Sequence, residues 1–474
     1  MTERTQTPER AGPPGRGARL RALGPHATAV VAVVGLALAM QLRSPLLLKV
    51  RALGTVAAVA LALLLLARAW RRGRRAAPTD ARRPGGPLLA DAVSATAALG
   101  VLIVVPALHA QKLGNERALA AADPGARARL GRHVVAGFRS WDEARWLVEQ
   151  AAVGGLYIGL HNVRGLSEEA LRERITGLVR LRRERGGPRL LIAADQEGGP
   201  VSRLSPPLPL PPPLSSVLED AGAAGADEPD VRARRLGREQ AAQLRALGVD
   251  VNFAPVVDLR LHPERGLLDR YSFIGSRAIS ADPEVTARIA RAYAEGLVSG
   301  GVLPTLKHFP GLGRVQTDTH FFAARLTTPA DELAATDFWP FRAVLQATPS
   351  LLMLGHAYVT AVDPRELASS SAPLVDGVVR RGWQHDGVLV TDDLCMSPPY
   401  YAEGGIGGSA VRALVAGIDL VLVSYDGSQV PAVLRALLAA YSEPGRALPE
   451  SVLAASDARL DRMLARLEQA LAAP

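Results

Sequence analysis

VLPTLKHFPGLGRVQTDTH, residues 302–320, reads as a β-strand that hands over to a functional loop. VLPTL is a short apolar run of the kind that forms a buried strand. It ends in Lys307-His308, and a Phe-Pro-Gly turn then leads through a Gly-containing loop to Asp318 and His320. Of the 55 basic residues in the 474-residue chain, only Lys49, Lys112 and Lys307 are lysines. A Lys beside a His at a strand end, in a chain that otherwise uses Arg, points to a place that needs a compact ammonium rather than a planar fork.

Outward from this stretch, the pattern from about residue 130 alternates short β-rich runs with longer helical ones. The strands read at 155–160, 189–194, 250–257, 302–307, 350–356, 387–391 and 418–424. Helices are expected at 168–185, 229–247, 284–300, 331–346 and 429–442, and a last one near 450–471 closes the chain. Repeated β-then-α order implies a parallel sheet. Seven units are visible; an eighth is not placed. Asp195, Asp258, Lys307-His308, His356, Asp392-Asp393 and Asp426 all fall at or just past the C-terminal ends of these strands. In a TIM-type (β/α)8 barrel those ends converge on the face that carries the chemistry. An open sheet would gather them at one switch point instead. The fold expected is therefore α/β, a (β/α)8 barrel over 130–474. The Pro-rich 206–213 (PPLPLPPP) reads as a rigid surface excursion, a plain loop in preference to a segment bordering the site.

The net charge of +9 divides unevenly. Residues 1–129 carry 19 basic and 6 acidic residues, whereas residues 130–474 carry 36 and 40. The larger part thus has no electrostatic footprint for nucleic acid, and none is expected as a partner. The basic head contains three apolar stretches, at 27–42, 52–70 and 88–110. The first is short for a bilayer span of about 20 residues, and the others suffice. Arg68, Arg71, Arg72, Arg74, Arg75, Arg82 and Arg83 lie between the second and third, which places that loop in the cytoplasm by the positive-inside rule. The third helix then delivers everything after it to the extracytoplasmic side. The expected organisation is a basic cytoplasmic tail (1–26), an all-α transmembrane region in a lipid bilayer (27–110), a linker (111–129) and the barrel; the tail is cytoplasmic with three spans and outside with two. A cleaved signal peptide is the competing reading, but several apolar stretches occur and none precedes a clear cleavage pattern. The single Cys395 excludes an intrachain disulfide framework and reads as a small buried hydrophobe.

Four clusters carry chemistry. Asp195-Gln-Glu-Gly-Gly-Pro-Val-Ser-Arg203 follows an apolar strand, so a carboxylate meets a Gly pair where backbone can approach a ligand; a capped turn is the plainer alternative. In Ile274-Gly-Ser-Arg277-Ala-Ile-Ser-Ala-Asp282-Pro283, Asp282 reads as a helix N-cap with Pro at the first position, while Arg277 is either a functional or a surface cation. In the opening stretch, an Asp two residues from a His can orient the imidazole for acid–base work near neutral pH. Finally, a buried strand runs into Asp392-Asp393. Oxygen ligands do not gather at a metal-binding spacing, so a carboxylate nucleophile at a barrel mouth is the better reading, and no metal or other cofactor is called for.

Together, AADQEGGPVSRL, GVDVNFAPVVDL, IGSRAISADP, LKHFPGLG with TDTH, and GVLVTDDLCM, in this order over residues 150–425, resemble the signatures of glycoside hydrolase family 3. The resemblance is closest to its single-domain bacterial β-N-acetylhexosaminidases. It implies that Asp392 is the nucleophile, His320 the acid/base and Asp318 its dyad partner. It further implies that Asp195, Arg203, Arg277, Lys307 and His308 hold a terminal N-acetylglucosamine of a glycan or muropeptide. Pro200, Leu312, and Ala278-Ile279 depart from the family pattern, and the first two bear on loop geometry and leaving-group preference. A family β-glucosidase is a rival; it would take its acid/base from a second domain, and this chain ends about 80 residues past Asp392. A sugar-binding sensor without catalysis is another, and phosphorolysis a third.

Overall fold

The computed structural model describes residues 16–74, 87–219, 227–262, 272–442 and 447–472. Residues 1–15 of the basic tail, and Arg75, Arg82 and Arg83, lie outside them. Two compact units are present, Met1–Gly114 and Asn115–Pro474.

In the first unit, helices run over Arg16–Met40, Arg51–Gly73 and Pro87–Ala121. Two stretches, Leu47–Arg72 and Leu89–Ala121, are long and apolar enough to cross a membrane, whereas the apolar part of the first helix, Ala27–Met40, is shorter. Asp91, the one acid in the third apolar stretch, is paired with Arg72 at 3.2 Å. The segment 111–121, read as linker, continues the third helix, and a short helix, Pro124–Gly131, follows it.

The second unit is a closed barrel of eight parallel strands. They are β1 (Val134–Ala136), β2 (Gly155–Tyr157), β3 (Leu191–Ala194), β4 (Val251–Asn252), β5 (Leu303–Phe309), β6 (Leu351–Leu354), β7 (Leu389–Asp393) and β8 (Leu420–Val423). Each pairs with its sequence neighbours, and β1 closes on β8. The eighth unit, unplaced from the sequence, is the first: β1 pairs with β8 through Val134–Val421 and with β2 through Val135–Gly155.

Strands buried on both faces carry continuous apolar runs rather than alternating ones. Leu351 and Met353 of β6 point into the barrel interior, and Leu352 and Leu354 pack outward against the helices. Leu460, Met463 and Leu467, one face of the final helix Glu450–Ala472, join the interior cluster with Leu303, Leu351 and Leu420 at the strand starts. The N-terminal end of the barrel is thereby plugged, and the opposite end is left for chemistry. Helices Pro373–Gly382 and Gly405–Ala416, which the sequence reading did not single out, follow β6 and β7.

Candidate active site

Register shifts fall where the chemistry is. The β5–β6 pairing slips between Leu306 and Phe309, and the β7–β8 pairing between Val390 and Asp393. Such irregularities re-aim side chains at a strand end. Here they involve Lys307-His308 and Thr391-Asp392.

Lys307 is buried, and its Nζ donates to Asp195 Oδ1 and lies against Glu197 Oε1, both at 2.5 Å. The compact ammonium expected from the sequence sits between two carboxylates. Glu197 also accepts two hydrogen bonds from Arg277, from Nε at 2.8 Å and Nη2 at 2.7 Å. Burial opposes ionisation of Glu197, but Arg277 and Lys307 prevail and hold its carboxyl down to about 2. Burial likewise works against the Arg277 cation, and Glu197 overcomes it, so its proton affinity rises. Asp195 receives a second bond, from Tyr157 Oη at 2.7 Å. Burial first, and then the Asp195 charge, push the Tyr157 phenol well above its usual range, so it stays a donor.

His308 Nδ1 lies 2.7 Å from Asp258 Oδ2, and Asp258 Oδ1 accepts the amides of His308 at 3.2 Å and Leu312 at 2.8 Å. Arg277 Nη2 faces His308 Nε2 at 3.4 Å. A guanidinium can only donate, so this contact can be a hydrogen bond only when Nε2 is unprotonated and Nδ1 carries the hydrogen toward Asp258. The Arg203 amide donates to the Asp195 carbonyl at 2.8 Å, and its guanidinium is within electrostatic reach of Tyr157. Three carboxylates and three cations are thus brought together around the His308 imidazole. This balanced, donor-rich cradle suits an uncharged polyhydroxylated ligand.

Asp318 and His320 form the second group. Asp318 is fully buried, and its Oδ1 accepts the His320 amide at 3.0 Å and meets His320 Nδ1 at 2.7 Å. The imidazole side chain is 43% exposed, and Asp318 engages its Nδ1. The His320 carbonyl accepts the Ser397 amide at 2.9 Å, which ties this loop to the segment after β7.

The two adjacent carboxylates on β7 have separate roles. Asp393 accepts from the amides of Cys395 (2.9 Å), Ser424 (3.0 Å) and Tyr425 (2.8 Å) and from the Ser424 hydroxyl (2.7 Å). Its acceptor positions are used up, one in its own turn at Cys395 and three in fastening β7 to the end of β8. Asp392 accepts, among the described residues, only the Asp393 amide at 2.8 Å. Burial disfavours its charge, but the imidazoles of His308, His356 and His320 outweigh burial and hold its carboxyl below the ordinary range. Asp392 and His320 therefore face one another's field in a single site.

The sequence reading assigned no role to Tyr157, Glu197 or Asp258. Glu197 lies inside a quoted motif and Asp258 at a strand end, so both could have been found; Tyr157 carried no signal. Asp426 and His356, also at strand ends, are structural. Asp426 caps the turn at Ser428 and Gln429. His356 bridges the Ser369 hydroxyl and the Asp393 carbonyl, and burial lowers its proton affinity. Asp282 caps its helix through the Glu284 and Val285 amides, as expected. Cys395 is buried, and burial raises its thiol well above the usual range. The Pro-rich segment does more than pass over the surface: the Pro211 carbonyl accepts the Gly199 amide at 2.9 Å, and Pro213 and Leu214 line a small cavity with Glu197 and Arg277.

A family described as glycosyl hydrolase family 3 N terminal domain matches residues 126–463. The β-hexosaminidase LpqI of Mycobacterium tuberculosis is 33% identical over 350 residues, spanning 72% of this chain and 82% of that protein. A β-hexosaminidase of Xylella fastidiosa is 37% identical over 290 residues, spanning 60% and 80%. The structure of a glycoside hydrolase family 3 β-N-acetylglucosaminidase from Paenibacillus superposes with a TM-score of 0.65 at 30% identity, covering 73% of this chain and 63% of that one, less than two thirds of its length. With the barrel, the ordered motifs and these likenesses in agreement, the chain belongs to glycosyl hydrolase family 3 and is a glycoside hydrolase.

Proposed function

We propose that the barrel is a retaining β-N-acetylglucosaminidase that removes terminal β-linked N-acetylglucosamine through a glycosyl-aspartate intermediate. The observation that carries this reading is the split between the two β7 carboxylates. Asp393 is consumed by four protein donors, whereas Asp392 is ionised, sparsely bonded and surrounded by imidazoles. The cradle of Asp195, Arg203, Arg277, Lys307 and His308, its charges balanced by Glu197 and Asp258, holds the terminal sugar. In the first step an Asp392 oxygen attacks C1, the bond from C1 to the glycosidic oxygen breaks, and that oxygen takes the His320 Nε2 proton. In the second, His320 Nε2 removes a proton from water as the water oxygen attacks C1 and the Asp392 carboxylate departs. Two carboxylates usually share these duties; here an imidazole oriented by Asp318 replaces one.

The test uses the full-length chain in detergent. A chromogenic β-N-acetylglucosaminide should be turned over, and a 5-fluoro N-acetylglucosaminyl fluoride should label Asp392. Turnover without any label at Asp392, or the same rate for the β-glucoside, contradicts the reading. Unchanged rates with and without phosphate separate hydrolysis from phosphorolysis.

The proposal extends to place. The helices Arg51–Gly73 and Pro87–Ala121 cross the bilayer with the Arg-rich loop in the cytoplasm, so the barrel lies on the extracytoplasmic side, where peptidoglycan-derived fragments are its substrate. Length and apolar composition of the two helices support the two crossings, and the Arg-rich loop supports the orientation. Because Cys395 is the only cysteine and is buried, an engineered surface cysteine on the barrel is a clean reporter. It should react with a membrane-impermeant maleimide on intact cells; labelling only after lysis refutes the orientation.

A further inference from the structure

The chain is poor in aromatic residues, at 4%. Among the described residues of the barrel unit, four aromatic rings stand out from the surface: Phe321 (37% exposed), Phe322 (49%), Tyr401 (52%) and Tyr425 (43%). They do not scatter. Phe321 and Phe322 directly follow His320, and their amides donate to the Asp318 carbonyl at 3.1 and 3.0 Å. The turn that seats the Asp318–His320 pair therefore also sets these two rings, whose centroids are 6.5 Å apart. Ser397, whose amide holds the His320 carbonyl, accepts the Tyr401 amide at 3.0 Å, and Tyr401 packs edge-on against Tyr400 with centroids 5.0 Å apart. The Tyr425 amide donates to Asp393, the neighbour of Asp392, at 2.8 Å. Each exposed ring is thus within one or two hydrogen bonds of a reacting residue.

The charged cradle comes from the β2, β3, β4 and β5 ends. The rings come from the loops after β5, β7 and β8, the sector that also presents His320 and Asp392. Exposed aromatic surface costs free energy unless something covers it, and large exposed apolar patches mark binding sites. A pyranose ring offers apolar C–H faces that cover such rings while its hydroxyls remain in water. We infer that Phe321, Phe322, Tyr401 and Tyr425 form an aglycone platform that stacks the saccharide on the leaving-group side of the scissile bond. The preferred substrate is then an oligosaccharide, with a second sugar ring behind the terminal one, rather than a simple N-acetylglucosaminide. This rests on the proposed glycosidase reading and adds to it the side of the site on which specificity is set.

The experiment compares two substrates on full-length protein: the β-1,4-linked N-acetylglucosamine disaccharide and N-acetylglucosaminyl β-fluoride, whose one-atom leaving group cannot reach the platform. Phe322→Ala and Tyr401→Ala should each lower the ratio of kcat/KM for disaccharide over fluoride about tenfold, mainly through KM, consistent with about 1–1.5 kcal/mol for an aromatic contact. Tyr401→Phe, which keeps the ring, should restore the wild-type ratio. A ratio within twofold of wild type in both Ala variants overturns the platform. If the wild-type protein hydrolyses neither substrate, the parent reading fails and the platform falls with it.

Discussion

Replacement of Glu197 by Gln tests the electrostatic logic of the cradle. The carboxylate is buried between Arg277 and Lys307, with contacts of 2.8, 2.7 and 2.5 Å. Those two cations lower its proton affinity from the ordinary 4.5 to about 2. At about 1.4 kcal/mol per tenfold change in affinity, the ionised form is worth about 3 kcal/mol to the folded state. The sign follows from proton binding. Between about 4.5 and 2 the unfolded chain takes up a proton that the folded protein refuses, so stability rises with pH through this window and is fully present above it. Glu197→Gln should therefore lower unfolding free energy by about 3 kcal/mol at pH 7, with the deficit shrinking as pH falls below about 4.5. Urea unfolding followed by tryptophan fluorescence at pH 7, 5 and 4 measures both. A deficit below about 1 kcal/mol at pH 7, or one that does not change with pH, would refute the reasoning. Activity should fall as well, through KM, because Arg277 and Lys307 lose the partner that positions them.

The β7 pair should separate cleanly. Asp392→Asn should abolish turnover with a smaller loss of stability than Asp393→Asn, which turns an amide toward bonded donors and should cost about 1–3 kcal/mol in thermal melts. His320→Ala should slow hydrolysis of disaccharide by about 10²–10⁴-fold, and less for substrates with good leaving groups in the glycosylation step, as steady-state rates would reveal. Gly198→Ala should destabilise by about 1–3 kcal/mol in denaturant titrations, since Gly198 has φ +102° and an added Cβ would collide with the Pro212 carbonyl oxygen.

Seven of the eight barrel strands were readable because each is an apolar run of four or more residues, and six of them have a polar residue at the end. The missed strand, Val134–Ala136, is three residues long and has no such residue. Its extended state is decided by partners on both sides, β2 and β8, which lie next to it only once the barrel closes. The helices Pro373–Gly382 and Gly405–Ala416 were passed over for a related reason. The first is wound as a π-helix and the second opens with Gly-Ile-Gly-Gly, so propensity argues weakly for either, and burial of Leu374, Val375, Ala413 and Leu414 supplies what propensity lacks.

Residue order alone determined that this chain is a β/α barrel with an apolar head and a family 3 site, since hydrophobic period and the order of motifs are properties of the linear chain. It also named the eight residues proposed for the site. Which carboxylate of Asp392-Asp393 is available, that Glu197 rather than Asp195 alone locks the cations, that Asp258 engages His308 Nδ1, and that the Pro-rich segment returns to the site were decided only by the tertiary structure. The reason is physical: hydrogen-bond valence and burial depend on which distant groups arrive at a given oxygen. Two identical side chains adjacent in sequence become different chemical groups once folding fills the acceptor sites of one and leaves the other to the ligand.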